Sequence, residues 1–135
     1  MKILVVDDVA LNCRVLSALL APHGQIVAVN TGHEAVDAFR HAWAVNAPFN
    51  LICLDIMLPD LDGVKVLQVL RKMEEAMKVE AGQRVRILMV SALMDSKVIL
   101  HARESGCDGY ILKPVTMKTL EQSLKHMGLI ANEPG

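Results

Sequence analysis

A short apolar run that ends in a single carboxylate constrains the fold of this chain more than any other feature. Residues 51–54 are Leu, Ile, Cys and Leu, and Asp55 follows directly. An unbroken run of this length is typical of a strand buried on both faces, as in a parallel sheet covered by helices. Pro59 and the pair Asp62-Gly63 then indicate a loop. Because ligands of open α/β sheets bind beyond the carboxyl ends of the strands, Asp55 is predicted to lie where a site forms.

The chain contains five runs of strand length that are either apolar throughout or alternate in part between apolar and polar residues. We predict strands at residues 3–6, 25–29, 51–55, 85–90 and 109–112. Between and after these runs, apolar residues recur at helical spacing, and we predict helices at residues 10–21, 33–45, 63–78, 95–105 and 117–127. Strict alternation of strands and helices implies right-handed crossovers and a parallel sheet with helices on both faces.

Two parts of this assignment carry an expectation about burial. In the first helix, the residues at the spacing of an apolar stripe are Leu11, Val15, Leu16, Leu19 and Leu20. Residues 74–84 form the most polar stretch of the chain, which predicts a helix end followed by an exposed connector.

Composition and charge exclude several classes of protein. Aromatic residues make up 3% of the chain against a hydrophobic content of 53%, which favours an α/β fold over an all-β sandwich. A formal net charge of -1 argues against a general nucleic-acid binder. Cys13, Cys53 and Cys107 are odd in number and far apart, so we expect free thiols in a reducing cytoplasm. The chain has no apolar run of transmembrane length and no signal peptide, so we expect a cytoplasmic protein without membrane contact.

Polar side chains follow four of the predicted strands and would meet at one edge of a parallel sheet. They are Asp7, Asp8, Asp55, Ser91 and Lys113. Taken alone, each residue has an explanation that needs no functional site: the acids and the serine can be helix caps or turn formers, and the lysine can be a solvated surface charge. Together they are a much stronger signal, because the fold brings separate segments to one place.

Three carboxylates at one edge would repel one another, and a divalent cation relieves that repulsion. Mg²⁺ prefers oxygen ligands and is usually held by one or two carboxylates together with phosphate oxygens. We predict Asp8 and Asp55 as metal ligands, with Asp7 binding directly or through water. The backbone carbonyl of Met57 can fill a further position.

These groups suit phosphoryl transfer to a carboxylate. Asp55 can attack phosphorus and form an acyl phosphate. Mg²⁺ and the ammonium group of Lys113 would stabilise the charge that spreads over the phosphoryl oxygens. The hydroxyl of Ser91 can donate a hydrogen bond to one of those oxygens.

In their order along the chain, these residues resemble the receiver domain of the two-component response-regulator family. The resemblance covers residues 2 to about 129 and rests on four elements: the acidic pair Asp7-Asp8, the phosphoacceptor Asp55 with its Pro59 and Asp62-Gly63, the pair Ser91-Ala92, and Lys113-Pro114. It implies a flavodoxin-like fold whose five-stranded parallel sheet has the order 2-1-3-4-5 and is flanked by five helices.

The resemblance also implies a mechanism. A histidine kinase or a histidine phosphotransfer domain presents phosphohistidine, and Asp55 takes the phosphoryl group with Mg²⁺, or Mn²⁺ in its place. Ser91 then moves toward the phosphoryl group, and Tyr110 on the fifth strand turns inward. The face formed by the fourth helix, the fifth strand and the fifth helix changes, and a protein target reads the change.

We therefore expect one receiver domain at residues 1–130, a short flexible tail at 131–135, and no attached DNA-binding effector. Such a protein would be a regulatory phosphoacceptor that promotes only its own phosphorylation and dephosphorylation. It would have no direct contact with nucleic acid, and it would be a monomer or a phosphorylation-dependent dimer. The alternatives are a phosphorelay intermediate, an aspartyl-nucleophile phosphatase, a flavin-binding module and a degenerate receiver used only for binding. The flavin reading is weak, because Asp7-Asp8 stands where a phosphate loop would follow the first strand.

Overall fold

The computed structural model describes residues 1–131 and is built on a five-stranded parallel sheet. The strands run in the order β2-β1-β3-β4-β5, which confirms the predicted topology. Their bounds are β1 Lys2–Val6, β2 Gln25–Val29, β3 Leu51–Asp55, β4 Arg86–Ser91 and β5 Gly109–Leu112. Of the tail predicted at residues 131–135, the last four residues lie outside the described part of the chain.

Five α-helices alternate with the strands, as the spacing of apolar residues predicts. They are α1 Ala10–Leu20, α2 Gly32–Ala44, α3 Gly63–Ala76, α4 Ser96–Glu104 and α5 Met117–His126. The predicted bounds differ from these by one or two residues, and Pro22 lies in a 3₁₀ turn, Ala21–His23, that follows α1. Among residues 1–131, no helix has the length and apolar character to cross a membrane.

The sheet separates two apolar clusters. Along β1, Leu4 and Val6 belong to one cluster, and Ile3 and Val5 belong to the other. Successive residues of a strand point to opposite faces, so one cluster fills each side of the sheet. Residues of α2 and α3 complete the first cluster, and residues of α1 and α5 complete the second. All five residues of β3 are buried, as expected for its central position.

The apolar stripe predicted for α1 is wrong at two residues. Cys13, Leu16 and Leu20 face the core, whereas Leu11 is 61% exposed and Val15 is 48% exposed. Each residue of a helix advances about 100° around the axis, so the two exposed residues, each two positions from Cys13, lie about 200° away from it. The high apolar content of this helix hid which of its faces meets the sheet.

The polar stretch at residues 74–84 is a helix end and an exposed or partly exposed connector, as predicted, except at its first residue. Glu74 has no solvent exposure, because it lies within α3 and faces the start of β4. Its carboxylate accepts hydrogen bonds from Arg71 Nη1 at 2.6 Å and from the Val85 backbone N–H at 2.8 Å. Arg71 also donates to the Gly106 carbonyl at 3.0 Å and to Asp108 Oδ2 at 2.9 Å. One buried ion pair therefore joins α3 to the segments that precede β4 and β5.

Replacing Arg71 with alanine should destabilise the protein strongly. The Glu74 carboxylate would lose its charged partner while it stayed buried, a change that typically costs about 3–5 kcal/mol of unfolding free energy. Arg40→Ala is the matched control, because its ion pair with Asp37 is exposed on both sides and should contribute less than about 1 kcal/mol. Urea denaturation measures both variants, and equal small losses would contradict the structural role of the Arg71–Glu74 pair.

Candidate functional site

The carboxyl ends of β1, β3, β4 and β5 meet at one edge of the sheet. Asp55, the last residue of β3, lies opposite Val90 in β4, and Ser91 lies opposite Leu112 in β5. The backbone N–H of Lys113 donates to the Ser91 carbonyl at 2.9 Å, which continues the pairing for one residue beyond β5. Parallel register therefore fixes the positions of four chain segments that are far apart in sequence.

An ammonium group links two of the carboxylates at this edge. Lys113 Nζ donates to Asp7 Oδ2 at 2.8 Å and to Asp55 Oδ2 at 3.0 Å. The two carboxylates are nearly buried, with side-chain exposures of 5% and 8%, and the lysine is 22% exposed. Burial lowers the pKa of Lys113, but its hydrogen bonds to Asp7 and Asp55 outweigh that effect and raise the pKa above its usual value. The Lys113–Pro114 peptide bond is cis.

Asp8 completes an acidic cluster with Asp7 and Asp55. One carboxylate oxygen from each of the three residues lies within 4.8 Å of the other two. Asp8 is exposed, and within residues 1–131 its side chain has no hydrogen bond. The single ammonium group of Lys113 bonds two of these three carboxylates, which leaves the cluster with an excess of negative charge. This donor set fits a hard divalent cation such as Mg²⁺.

Met57 contributes its backbone to the same place. Its N–H donates to Asp55 Oδ1 at 3.2 Å, and the residue is 65% exposed. Met57, Asp8 and Leu93 line an open cleft beside the acidic cluster. The proposed carbonyl ligand therefore belongs to a residue that is already bonded to the Asp55 side chain.

Ser91 and Tyr110 both bind the loop that follows β4. The Ser91 side chain is buried, and its Oγ accepts a hydrogen bond from the Leu93 backbone N–H at 3.1 Å. The half-buried Tyr110 donates its hydroxyl to the Leu93 carbonyl at 2.9 Å. The two predicted switch residues are thus connected through a single residue, Leu93, which sequence reasoning did not relate to either of them by hydrogen bonding.

Two residues that support Asp7 were also missed. Cys13 Sγ donates to the Asp7 carbonyl at 3.1 Å, and Asn30 Nδ2 donates to the same oxygen at 3.1 Å. Burial raises the pKa of the Cys13 thiol, which keeps it protonated as a donor. No sequence motif indicates either contact, because α1 and the turn after β2 bring these residues to Asp7 only in the folded chain.

Comparison with known proteins identifies the family. Residues 3–125 match the family described as the response regulator receiver domain. This chain belongs to that family. Phosphorylation and Mg²⁺ binding at an acidic pocket are typical of receiver domains, and this chain has a cluster of three aspartates at the carboxyl edge of its sheet.

Curated relatives of this receiver domain are longer proteins. The chain is 36% identical over 125 residues to the "Probable transcriptional regulator ycf27" of Porphyridium aerugineum, covering 92% of this chain and 46% of the relative. It is 36% identical over 120 residues to the "DNA-binding response regulator MtrA" of Mycobacterium leprae, covering 88% of this chain and 47% of that protein. The chain therefore spans about half the length of these relatives.

Solved structures show the same receiver fold. A CheY-like response regulator receiver domain protein from Methanospirillum hungatei JF-1 matches with a TM-score of 0.74 at 27% identity, covering 95% of this chain and 92% of that one. The CheX-CheY-BeF3-Mg+2 complex from Borrelia burgdorferi includes a chain that matches with a TM-score of 0.78 at 23% identity, over 95% of this chain and 89% of that one. The second likeness shows the fold alone.

The receiver's acidic cluster predicts opposite effects of one substitution with and without metal. Asp8→Asn should raise the unfolding free energy of the metal-free protein by about 1 kcal/mol, because it removes repulsion at Asp7 and Asp55 without breaking a hydrogen bond. It should also reduce the stabilisation that we expect from Mg²⁺, because the substitution removes a predicted ligand.

Urea denaturation in EDTA and in saturating Mg²⁺ measures both effects. Asp37→Asn is the control, because Asp37 is an exposed residue of α2 and should leave the response to Mg²⁺ unchanged. A lower metal-free stability in Asp8→Asn, or an undiminished response to Mg²⁺, would contradict this assignment.

Proposed function

We propose that this receiver is a phosphorylation-activated signalling switch in which Asp55 accepts a phosphoryl group. The donor is the phosphohistidine of a histidine kinase or of a histidine phosphotransfer domain. The observation that carries the proposal is the Lys113 ammonium group bonded to both Asp7 and Asp55 at the carboxyl edge of the sheet. That contact puts a fixed positive charge beside the carboxylate that would receive the phosphoryl group.

In the proposed step, a carboxylate oxygen of Asp55 forms a bond to phosphorus as the bond from phosphorus to the histidine nitrogen breaks. The electron pair of the breaking bond stays on the donor imidazole, which takes up a proton. Lys113, which bonds Asp55, would hold an oxygen of the transferring group, and the Met57 N–H would keep Asp55 in its orientation. The protein would accelerate this phosphoryl transfer mainly by positioning the reacting groups and by stabilising the charge on the phosphoryl oxygens.

The proposed metal ligands are carboxylate oxygens of Asp8 and Asp55 and the backbone carbonyl of Met57, with Asp7 binding directly or through water. Mg²⁺ is the expected ion, and Mn²⁺ can replace it. When bound, the ion would neutralise the carboxylates and the charge on the phosphoryl oxygens. Asp7 is nearly buried and already bonded to Lys113, whereas Asp8 is exposed and free of hydrogen bonds within residues 1–131, which favours Asp8 as the direct ligand.

The hydrogen bonds of Leu93 suggest how a phosphoryl group on Asp55 would be sensed. The hydroxyl of Ser91 would donate to a phosphoryl oxygen, and this reorientation would disturb the bond that its oxygen accepts from the Leu93 N–H. Leu93 also accepts the hydroxyl of Tyr110, so a movement of Leu93 would release or redirect that ring. The change would then reach the face formed by α4, β5 and α5, where a protein target reads it.

An apolar groove beside the site favours a protein as the phosphodonor. Leu11 and Val15 of α1 line it together with Val115 and Lys113. A small phosphorylated metabolite would gain little from such a surface, whereas a helix that carries phosphohistidine could bury apolar side chains there. The same surface would serve a phosphorelay, in which Asp55 passes the phosphoryl group onward to another histidine.

Family membership supports further proposals about the activity and output of this receiver. We propose a regulatory phosphoacceptor rather than an aspartyl phosphatase, since the receiver family is regulatory. The curated relatives are transcriptional regulators, and one is named DNA-binding, so the output of the whole protein stays open to nucleic acid as well as to protein. A single domain at residues 1–130, a cytoplasmic location, and a monomer or phosphorylation-dependent dimer stay predictions.

Incubation with acetyl phosphate and Mg²⁺ tests the proposed acceptor. Intact-mass measurement should find one phosphoryl adduct on the wild type and none on Asp55→Asn, because the amide is a far weaker nucleophile than the carboxylate. Asp37→Asn should form the adduct as the wild type does. Failure of the wild type to form the adduct when EDTA replaces Mg²⁺ would support the metal requirement.

Two results would contradict the proposal. One is an adduct that persists in Asp55→Asn, which would move the acceptor to another residue. The other is turnover of many acetyl phosphate molecules per protein without a lasting adduct, which would favour the phosphatase.

A further inference from the structure

The loop between β3 and α3 is held at its tip by a residue whose role the sequence did not reveal. Asp60 Oδ1 accepts the backbone N–H of Gly32 at 2.8 Å, and Asp60 Oδ2 accepts the backbone N–H of His33 at 2.9 Å. The His33 imidazole also contacts Asp60 Oδ2 through Nδ1. All three contacts join this loop to the first turn of α2, across 27 or 28 positions of sequence.

Helix α2 already has a cap of its own. Thr31 accepts the Glu34 N–H through its side chain at 3.1 Å, and its carbonyl accepts the Ala35 N–H at 3.1 Å. Asp60 accepts hydrogen bonds from the two first-turn amides that Thr31 does not bind, those of Gly32 and His33. Water could satisfy those amides at an exposed helix end, so the contact is better explained by what it does to the loop than by what it does to the helix.

The base of the same loop is closed tightly. The Gly63 N–H donates to the Ile56 carbonyl at 2.7 Å, and Met57 forms an antiparallel bridge with Asp62. Met57 then reaches back to the site, because its N–H donates to Asp55 Oδ1. Because this segment is short and closed by hydrogen bonds, a displacement of the loop tip would also move the Met57 backbone.

The loop between β3 and α3 packs so closely on α2 that only glycine fits at residue 32. A Cβ atom added at Gly32 would lie 2.9 Å from Leu61 Cβ and 2.9 Å from Val66 Cγ2, closer than real side chains approach. The loop thus packs directly on the α2 backbone next to the bonds made by Asp60. Steric contact and hydrogen bonds hold it in the same place.

We propose that Asp60 is a positioning residue, whose bonds to the α2 N-terminus hold the Met57 backbone in place against Asp55 and the metal ligands. The inference rests on the proposed function for its metal-binding consequence, and on the bonds of Asp60 and Met57 for its geometry. The N-terminus of a helix favours negative charge, and the amide donors of His33 and Gly32 hold the pKa of Asp60 below its usual range. Asp60 is therefore a carboxylate throughout the physiological range.

Backbone amide exchange of Met57, measured by NMR without metal or phosphodonor, tests the positioning directly. Asp60→Ala should speed that exchange by about tenfold, because the loop tip is released and the bond to Asp55 opens more often. Asp60→Asn keeps one acceptor oxygen, so its effect should be smaller. His33→Ala leaves both backbone bonds to Asp60 intact and should change the rate less than about twofold.

A second variant reaches the same loop from the other side. Gly32→Ala should push Leu61 away and speed exchange at Met57 while it keeps the Asp60 side chain. It also keeps the inference open to refutation if Asp60→Ala does not fold. Calorimetric titration with Mg²⁺ adds a readout of the site, and we expect the dissociation constant to rise about fivefold in Asp60→Ala and to stay unchanged in Asp37→Ala.

Unchanged exchange at Met57 in Asp60→Ala would overturn the inference, as would faster exchange confined to the Gly32 and His33 amides. If Asp60→Ala does not fold, unchanged exchange in both Asp60→Asn and Gly32→Ala would overturn it. Those results would leave Asp60 as a helix cap and no more. A wild type that binds no Mg²⁺ would instead count against the proposed function, and the Met57 exchange rate would still decide the positioning role.

Discussion

The contact of one lysine with two aspartates is the interaction on which the rest of the site depends. Lys113 is 106 positions from Asp7 and 58 positions from Asp55, yet its ammonium group bonds both. Two nearly buried carboxylates without a cation would be costly, and Lys113 offsets that cost for two of the three acids in the cluster. Asp8, the third acid, faces solvent. Lys113 therefore stabilises the pair formed by Asp7 and Asp55, and Asp8 leaves the cluster with an excess of negative charge.

The parallel sheet makes this convergence possible. Each crossover returns the chain to the same edge, so the residue that follows one strand meets the residues that follow its neighbours. Close approach adds precision at one point. A Cβ atom on Gly63 would lie 2.1 Å from the Asp55 carbonyl oxygen, so only glycine lets α3 begin directly against the end of β3. The loop between them is short, closed and bonded at its tip to α2 through Asp60.

Local patterns in the sequence were sufficient to predict the strands, the helices and the polar residues at the carboxyl edge. Buried apolar runs and polar residues that follow them are visible without any knowledge of packing. The sheet order came from the family resemblance. The expectations that failed concern which side of an element is covered. Leu11 and Val15 are apolar yet exposed, and Glu74 is charged yet fully buried, because in each case a neighbour distant in sequence decides the environment.

Contacts between separate loops were equally hidden. Leu93 joins Ser91 to Tyr110 through its backbone, and any residue type would offer the same N–H and carbonyl groups. Asp60 lies in the predicted loop after Asp55, but its role could not be predicted, because its partners are backbone amides of α2. Such bonds leave no composition or spacing signal. They become apparent only when the folded chain shows which amides lie within reach.

Anomalous diffraction from crystals soaked in Mn²⁺ would test the central claim most directly, because it locates the ion without reference to activity. The account predicts one strong peak at the carboxyl edge, within coordination distance of carboxylate oxygens of Asp8 and Asp55 and of the Met57 carbonyl. A peak on the loop acids Asp60 and Asp62 alone, or the absence of a peak beside Asp55 at saturating Mn²⁺, would contradict it.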